Sequence, residues 1–199
     1  MGGSAKAMIM ISSEIPDWER ERRTGWVPSK SLLASIRAYQ RARGTPGLIP
    51  AVQKRVAILR HRFWTMMTGA DIPLNARLGG GLLLPHPNGI VIHPDAEIGP
   101  NCLIFQQVTI GAAKGGVPTI GGQVDIGAGA KIIGAVTIGA HALIGANAVV
   151  ITDVPEGATA VGNPARILFP KVAVSLVDSK DASAEVRNDM PAIGRFALD

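Results

Sequence analysis

The chain has 199 residues, of which 47% are hydrophobic and 18% charged, a composition typical of a folded protein rather than a disordered one. Its formal net charge of +5 is accompanied by only 4% aromatic residues, and the absence of a stacking platform or zinc-finger pattern argues against nucleic-acid binding. The single cysteine, Cys102, excludes an internal disulfide and fits a reducing compartment.

Residues 1–13 are predicted to form a disordered leader. Their apolar run, residues 8–11, is too short for a signal peptide or a membrane span. We therefore expect a cytoplasmic protein without a membrane partner.

Residues 14–70 are predicted to form an α-helical N-terminal region. Helical periodicity covers residues 29–43 and 50–68, separated by a Gly- and Pro-containing break at residues 44–47. Ser29 or Ser31 is expected to cap the first helix. Most of the excess basic residues lie in this third of the chain, where their scattered placement is typical of a solvated helix face.

The next segment repeats an apolar residue at every sixth position. Glycine directly follows many of these residues, as in Ile98-Gly99 and Ile126-Gly127. The repeated positions are Ile72, Leu78, Leu84, Ile92, Ile98, Ile104, Ile110, Ile120, Ile126, Ile132, Ile138, Ile144 and Val150.

This repeat predicts a left-handed parallel β-helix over residues 71–168, so the fold class is mainly β with a short α-helical region before it. Each hexad forms a short strand and a turn, three hexads close a triangular coil, and the recurring apolar residue points inward. The left hand is implied by the hexapeptide-repeat family rather than by the general preference of β crossovers. Residues 169–199 are assigned to a C-terminal tail.

The phase of the repeat breaks twice, which predicts two loops extruded from the coil. Two extra residues lie between Leu84 and Ile92, and four lie between Ile110 and Ile120. Because functional residues concentrate on loops held by a rigid scaffold, these loops are the first candidates for chemistry.

Four segments of the repeat region resemble serine acetyltransferases. They are Asp71-Ile72, residues 83–91 (LLPHPNGIV), residues 107–111 (QVTIG) and residues 127–132 (GAGAKI). The hexapeptide repeat alone identifies a broad, acyltransferase-rich superfamily, whereas the histidine loop is specific to the serine acetyltransferase-like branch.

The resemblance implies an acetyl-CoA-dependent O-acetyltransferase in which a loop histidine is the general base. The matching position is His86, and Asp71 matches the aspartate that orients the histidine. Fifteen residues along a coil of about eighteen return the chain nearly to the same face, so the carboxylate can reach the imidazole. His86 would deprotonate the acceptor hydroxyl, which attacks the thioester carbonyl directly and releases coenzyme A as a thiol.

The resemblance also implies a homotrimer that binds coenzyme A in a groove between the coils of two subunits. Small residues line that groove, and basic side chains are partners for the phosphates. The matching positions are Gly111, Ala112, Lys114, Ala128, Lys131, Ala146 and Arg166.

Charged residues that serine acetyltransferases use to hold the amino acid are missing here. Pro85 stands in place of an acidic residue before the histidine, and Gly116-Val117 stand in place of an Arg-His pair. Each unpaired polar group of serine would cost about 1–3 kcal/mol. The small hydroxyl acceptor therefore stays open between L-serine and a sugar or polysaccharide hydroxyl.

Two further features of that family are not matched. The sequence ends on Leu198-Asp199 rather than on the isoleucine that docks into cysteine synthase, so that partner is not expected. The short helical region favours a single trimer over a dimer of trimers.

Two other functions are known for such coils. A metal-dependent carbonic anhydrase needs three histidines converging on the metal. His61, His86, His93 and His141 lack the required close spacing, so no metal is expected. A non-catalytic assembly scaffold would leave His86 and Asp71 without a role.

Overall fold

The computed structural model describes residues 12–22 and 25–169 of the chain, in which two helices precede a parallel β-helix of about five turns. A short 3-10 helix covers Trp18–Glu21, helix α1 covers Pro28–Ala42 and helix α2 covers Leu48–Thr68. Both predicted helices are confirmed within two residues at each end. In the ranges described, neither helix combines the length and apolarity needed to span a membrane.

The predicted serine cap of α1 is wrong. Val27 precedes the helix without a side-chain capping bond, and Pro28 occupies the first helical position, where its fixed φ suits the helix. Ser29 and Ser31 lie inside the helix and are buried.

In the described part of the chain, thirteen short strands form the three faces of the coil. Face 1 consists of β1 (Arg77–Leu78), β3 (Glu97–Ile98), β6 (Thr119–Ile120) and β9 (Thr137–Ile138). Face 2 consists of β4 (Leu103–Ile104), β7 (Asp125–Ile126), β10 (Leu143–Ile144), β12 (Thr159–Val161) and β13 (Arg166–Leu168). Face 3 consists of β2 (Val91–Ile92), β5 (Thr109–Gly111), β8 (Lys131–Ile133) and β11 (Val149–Val150).

The repeated apolar residues form the core, as predicted. Ile110 and Ile132 are fully buried, whereas the preceding residues, Thr109 and Lys131, face outward because strand side chains alternate. Each buried isoleucine contributes about 1.5–3 kcal/mol relative to an exposed one.

Residues in the left-handed conformation stack at two corners of the triangle. At corner 1–2, which joins face 1 to face 2, they are Gly81, Asn101, Gln123, His141 and Gly157. At corner 2–3 they are Gly89, Gln107, Gly129 and Asn147. Corner 3–1 completes the coil.

The strand register confirms both predicted loops. Asp71 pairs with Val91, twenty positions on, so residues 85–89 protrude at corner 2–3. Thr109 pairs with Lys131, twenty-two positions on, so residues 112–118 protrude at corner 3–1. Regular coils advance by eighteen positions, as from Val91 to Thr109.

The last coil is shorter than the repeat predicts. Ile138 bridges to Val154, sixteen positions on. The Asp153 carboxylate accepts a hydrogen bond from the Thr137 N–H at 2.7 Å. In the shortened coil this side chain takes the place of a backbone carbonyl as the partner of β9. The sequence carried this signal, because Val154, the next inward-facing apolar residue after Val150, comes only four positions later.

The segment before the helices is held at corner 1–2 by the buried side chain of Asn101. Its amide accepts a hydrogen bond from the Asp17 N–H at 2.8 Å and donates to the carbonyls of Ser12 and Ile15. Residues 12 and 13, which were predicted to belong to a disordered leader of residues 1–13, therefore lie in a segment that is bonded to the coil. Residues 1–11 lie outside the described residues.

An ion pair fixes helix α1 on the first coil. Arg37 bonds to Glu21 at 2.8 Å and also donates to the carbonyls of Leu78 and Gly79. Glu21 in turn accepts a hydrogen bond from the Leu82 N–H. The two charged side chains of this largely buried cluster are therefore paired with each other and with backbone groups.

The chain reverses at the far end of the coil. Strand β13 pairs antiparallel with β12, and the turn at residues 162–165 exchanges backbone hydrogen bonds with Val149 of face 3. The remainder of the predicted tail, residues 170–199, lies outside the described residues.

Candidate functional site

His86 lies on the loop of residues 85–89 at corner 2–3, with its side chain exposed. The loop is held on both sides by backbone hydrogen bonds: Gly89 donates to the Gly69 carbonyl, and the Asn88 carbonyl accepts from Gln107 of the next coil. Gly69, which ends helix α2 in the left-handed conformation, therefore sets the position of this loop.

Asp71 opens face 3 directly beside this loop. Its N–H donates to the Ile90 carbonyl at 2.7 Å, and its own carbonyl accepts from Ile92 at 3.0 Å. Its exposed side chain begins an outward column that continues along face 3 through Val91 and later strands. In the part of the chain that the structure describes, no hydrogen bond or ion pair joins Asp71 to His86, so their pairing stays a prediction.

The seven candidate coenzyme A residues lie in two groups. Ala128, Lys131 and Ala146 lie along corner 2–3, in the coils stacked beyond His86, and the Lys131 ammonium donates to the carbonyl of Gln107 there. Arg166 belongs to the same group. It is exposed at the start of β13 and pairs with Val161 at the end of the coil. The second group, at corner 3–1, consists of Gly111, Ala112 and Lys114.

The second group lies on a tight hairpin. Ala113 and Gly116 exchange two backbone hydrogen bonds of 3.1 Å, which leaves Lys114 exposed near the tip. A Cβ on Gly116 would lie 3.3 Å from the Cβ of Ala135, so this loop folds back along the coil.

One chain does not bring these two groups together, because face 3 separates the two corners. If the predicted residues share one groove, that groove needs corner 2–3 of one copy and corner 3–1 of another. The two groups of candidate residues are called half-sites below.

Cys102 is not part of either half-site. It is fully buried inside the coil, where its thiol lies 3.2 Å from the Gly121 carbonyl, and burial raises the pKa of Cys102 to about 12. A thiol that stays protonated at neutral pH is a poor nucleophile, which argues against a covalent acyl-enzyme on this residue.

The histidines are dispersed in the fold. His86, His93 and His141 lie at three different corners, and the His61 ring bonds to the Ile72 carbonyl at 2.8 Å. Across residues 12–22 and 25–169, no three His, Cys, Asp or Glu side chains are grouped closely enough to hold a metal ion.

Comparisons with known proteins point to one group of enzymes, although no family model matches the chain. A serine acetyltransferase of Synechococcus elongatus is 43% identical over 108 residues, which cover 52% of this chain and 44% of that protein. The crystal structure of a serine acetyltransferase from Brucella abortus matches with a TM-score of 0.61 and 33% identity, covering 72% of this chain and 58% of that one. A serine acetyltransferase in complex with CoA matches with a TM-score of 0.59 and 35% identity, over 72% and 57% of the two chains.

These matches confirm the predicted resemblance and the predicted fold class, a mainly β, left-handed parallel β-helix preceded by a short helical region. The chain spans between 33% and 62% of the length of eight curated relatives that it matches.

Proposed function

We propose that this chain, a serine acetyltransferase-like hexapeptide-repeat protein, transfers an acetyl group from acetyl-CoA to the hydroxyl of a small acceptor. The observation that carries the proposal is the placement of His86, which is exposed on a loop fixed at corner 2–3 directly beside Asp71. The similar protein in complex with CoA supports acetyl-CoA as the acetyl donor.

His86 is the general base of the proposed reaction. Its imidazole takes the proton of the acceptor hydroxyl, the oxygen attacks the thioester carbonyl, and the carbon–sulfur bond breaks as the imidazolium returns that proton to the sulfur, so that coenzyme A leaves as a thiol. The carboxylate of Asp71 orients the imidazole and stabilises the imidazolium that forms. The burial of Cys102 supports direct transfer, without an acyl group held on the protein.

A thiol-release assay on the purified protein tests this function. Acetyl-CoA is supplied with a panel of small hydroxyl compounds, and free coenzyme A is measured together with the mass of the acetylated product. Acceptor-dependent thiol release supports the proposal. Its absence with every acceptor would favour the assembly scaffold.

The complete site is expected to form only in a trimer, because the two half-sites lie at different corners of one chain. Light scattering should give a particle of three chains, each of 20.7 kDa. A fully active monomer would contradict this arrangement and would remove Gly111, Ala112 and Lys114 from the coenzyme A groove.

The acceptor is the open part of the proposal. The names of the similar proteins favour L-serine. The site residues favour an uncharged hydroxyl compound, because Pro85, Gly116 and Val117 offer no charge to an amino acid. In the described residues, moreover, no hydrogen bond or ion pair links the loop of residues 85–89 to a charged side chain, including Arg60 and Arg62 of helix α2.

We expect a neutral sugar to show a higher kcat/KM than L-serine. A site without partners for the ammonium and carboxylate cannot recover the desolvation cost of the zwitterion in the transition state. Direct competition at saturating acetyl-CoA, followed by mass spectrometry of the products, checks this. A clear preference for serine would show that other groups, such as those of a neighbouring subunit, supply the missing charges.

A further inference from the structure

Helix α2 has a second apolar face that is largely exposed in the described part of the chain. One side of the helix packs on the rest of the protein through Ala57, Trp64 and Thr68. The opposite side carries an exposed apolar stripe at helical spacing. The stripe consists of Val52, Val56, Leu59, Phe63, Met66 and Met67, and Leu48 and Ile49 extend it at the helix start.

The area of this stripe is too large for an ordinary surface. Leu59 is 66% exposed and Met66 is 81% exposed. Together the eight side chains expose on the order of 900 Å², compared with roughly 300–600 Å² for the largest apolar patch of a typical monomer. Such a surface indicates a binding partner.

Positive charges border the stripe on both sides. At 100° per residue, Arg55 and Arg62 project along one edge of the stripe and Arg60 along the other. No Asp or Glu occurs between Glu21 and Asp71, although ten Lys and Arg residues do. The helical region is therefore strongly cationic, whereas the rest of the chain has a net negative formal charge.

A groove between the two helices continues the same surface. It has a volume of about 450 Å³, and Ala38, Ala42 and Val56 contribute to its apolar lining. Arg41 of α1 and Arg60 of α2 also line it. The groove thus combines an apolar floor with two guanidinium groups, which suits a phosphate carried on an apolar chain.

We propose that helix α2 binds in the plane of an anionic phospholipid membrane, with the apolar stripe among the acyl chains and the bordering arginines at the phosphates. An apolar helix face with basic borders is the pattern of helices that lie in a membrane interface. Two copies of the stripe facing each other would instead bring arginines together without a carboxylate on either helix. This proposal replaces the sequence-based expectation of no membrane partner, and it is independent of the acetyl transfer.

Vesicle flotation with the full-length protein tests it. The probes are phosphatidylcholine vesicles and the same vesicles with about 30% phosphatidylglycerol, at about 0.05 M and 0.5 M salt. We expect binding to the anionic vesicles at low salt and much weaker binding in either other condition. Absence of binding to anionic vesicles at low salt, or equal binding to both kinds, would overturn the proposal.

Paired variants separate the apolar and the charged contributions. Leu59→Ser with Phe63→Ser should weaken vesicle binding about ten-fold or more, and Arg55→Gln with Arg62→Gln about ten-fold. Ile151→Ser, at another exposed apolar residue, and Arg77→Gln, at another exposed arginine, serve as controls and should change nothing. Circular dichroism verifies that each variant folds. A lower particle mass of the Leu59–Phe63 variant in light scattering would instead assign the stripe to contacts between copies, and would contradict the membrane proposal.

Discussion

Replacing His86 by alanine is expected to lower turnover by about 100-fold or more. The reason is that no other titratable side chain lies on the loop of residues 85–89, so an unactivated hydroxyl would have to attack the thioester without a base. Steady-state release of coenzyme A with a saturating acceptor measures the effect. The affinity for coenzyme A and the particle mass should be unchanged, because the exposed imidazole forms no side-chain contact that holds the described loop in place.

Two comparisons make this result specific. Asp71→Asn should reduce turnover less than His86→Ala, because Asp71 orients the base without itself accepting the proton of the hydroxyl. His141→Asn, at corner 1–2, keeps a residue that tolerates the left-handed backbone and should stay within about two-fold of the native rate. Near-native turnover of His86→Ala would refute the assignment of the general base.

Gly99→Ala is expected to destabilise the coil by about 3 kcal/mol or more. A Cβ at this position would lie 2.5 Å from the backbone carbon of Gly121 and 2.6 Å from the nitrogen of Gly122, so two coils would have to separate. Because no flexible side chain can move away, the cost falls on the backbone of the stack. The midpoint of urea unfolding measures the loss.

Gly111→Ala provides the matched control. Its added Cβ would meet the flexible end of Ile133 at 3.3 Å and the methyl group of Thr109 at 3.7 Å, and should cost about 1 kcal/mol or less. Equal unfolding midpoints for the two variants would mean that the close approach of the coils at Gly99 does not limit stability.

The β-helix could be predicted because its contacts repeat. Each inward isoleucine contacts an equivalent isoleucine about eighteen positions on, so the spacing along the sequence predicts which residues are in contact. The same regularity revealed the two loops, since a rigid coil accommodates extra residues only by extruding them. The repeat positions end at Val150, so they do not predict the shortened last coil, which depends on the pairing of Ile138 with Val154.

The attachment of the N-terminal segment could not be predicted in this way. Asn101 bonds to residues more than eighty positions earlier, and Arg37 reaches carbonyls about forty positions later. No sequence periodicity links such pairs, because each forms only when the helices have packed against the first coils. The serine cap failed for a related reason, because tertiary burial of Ser29 and Ser31 took precedence over their local capping preference.

For the site, the sequence placed His86 on a loop but did not separate the coenzyme A candidates into two corners. That separation depends on the corner of the coil at which each loop protrudes. Only the pairing of Asp71 with Val91 and of Thr109 with Lys131 shows that the loops border opposite ends of face 3.

The reversal of β13 has a consequence for how the protein behaves in concentrated solution. A stack of parallel coils ends in unpaired backbone groups, and such an edge is a template for end-to-end polymerisation. Here β13 covers the last strand of face 2, and the turn before it bonds to Val149 of face 3, while helix α1 covers the first coil through Arg37. Part of each end of the described coil is thus blocked from pairing with another copy, which opposes the growth of a protein built from repeats into fibres.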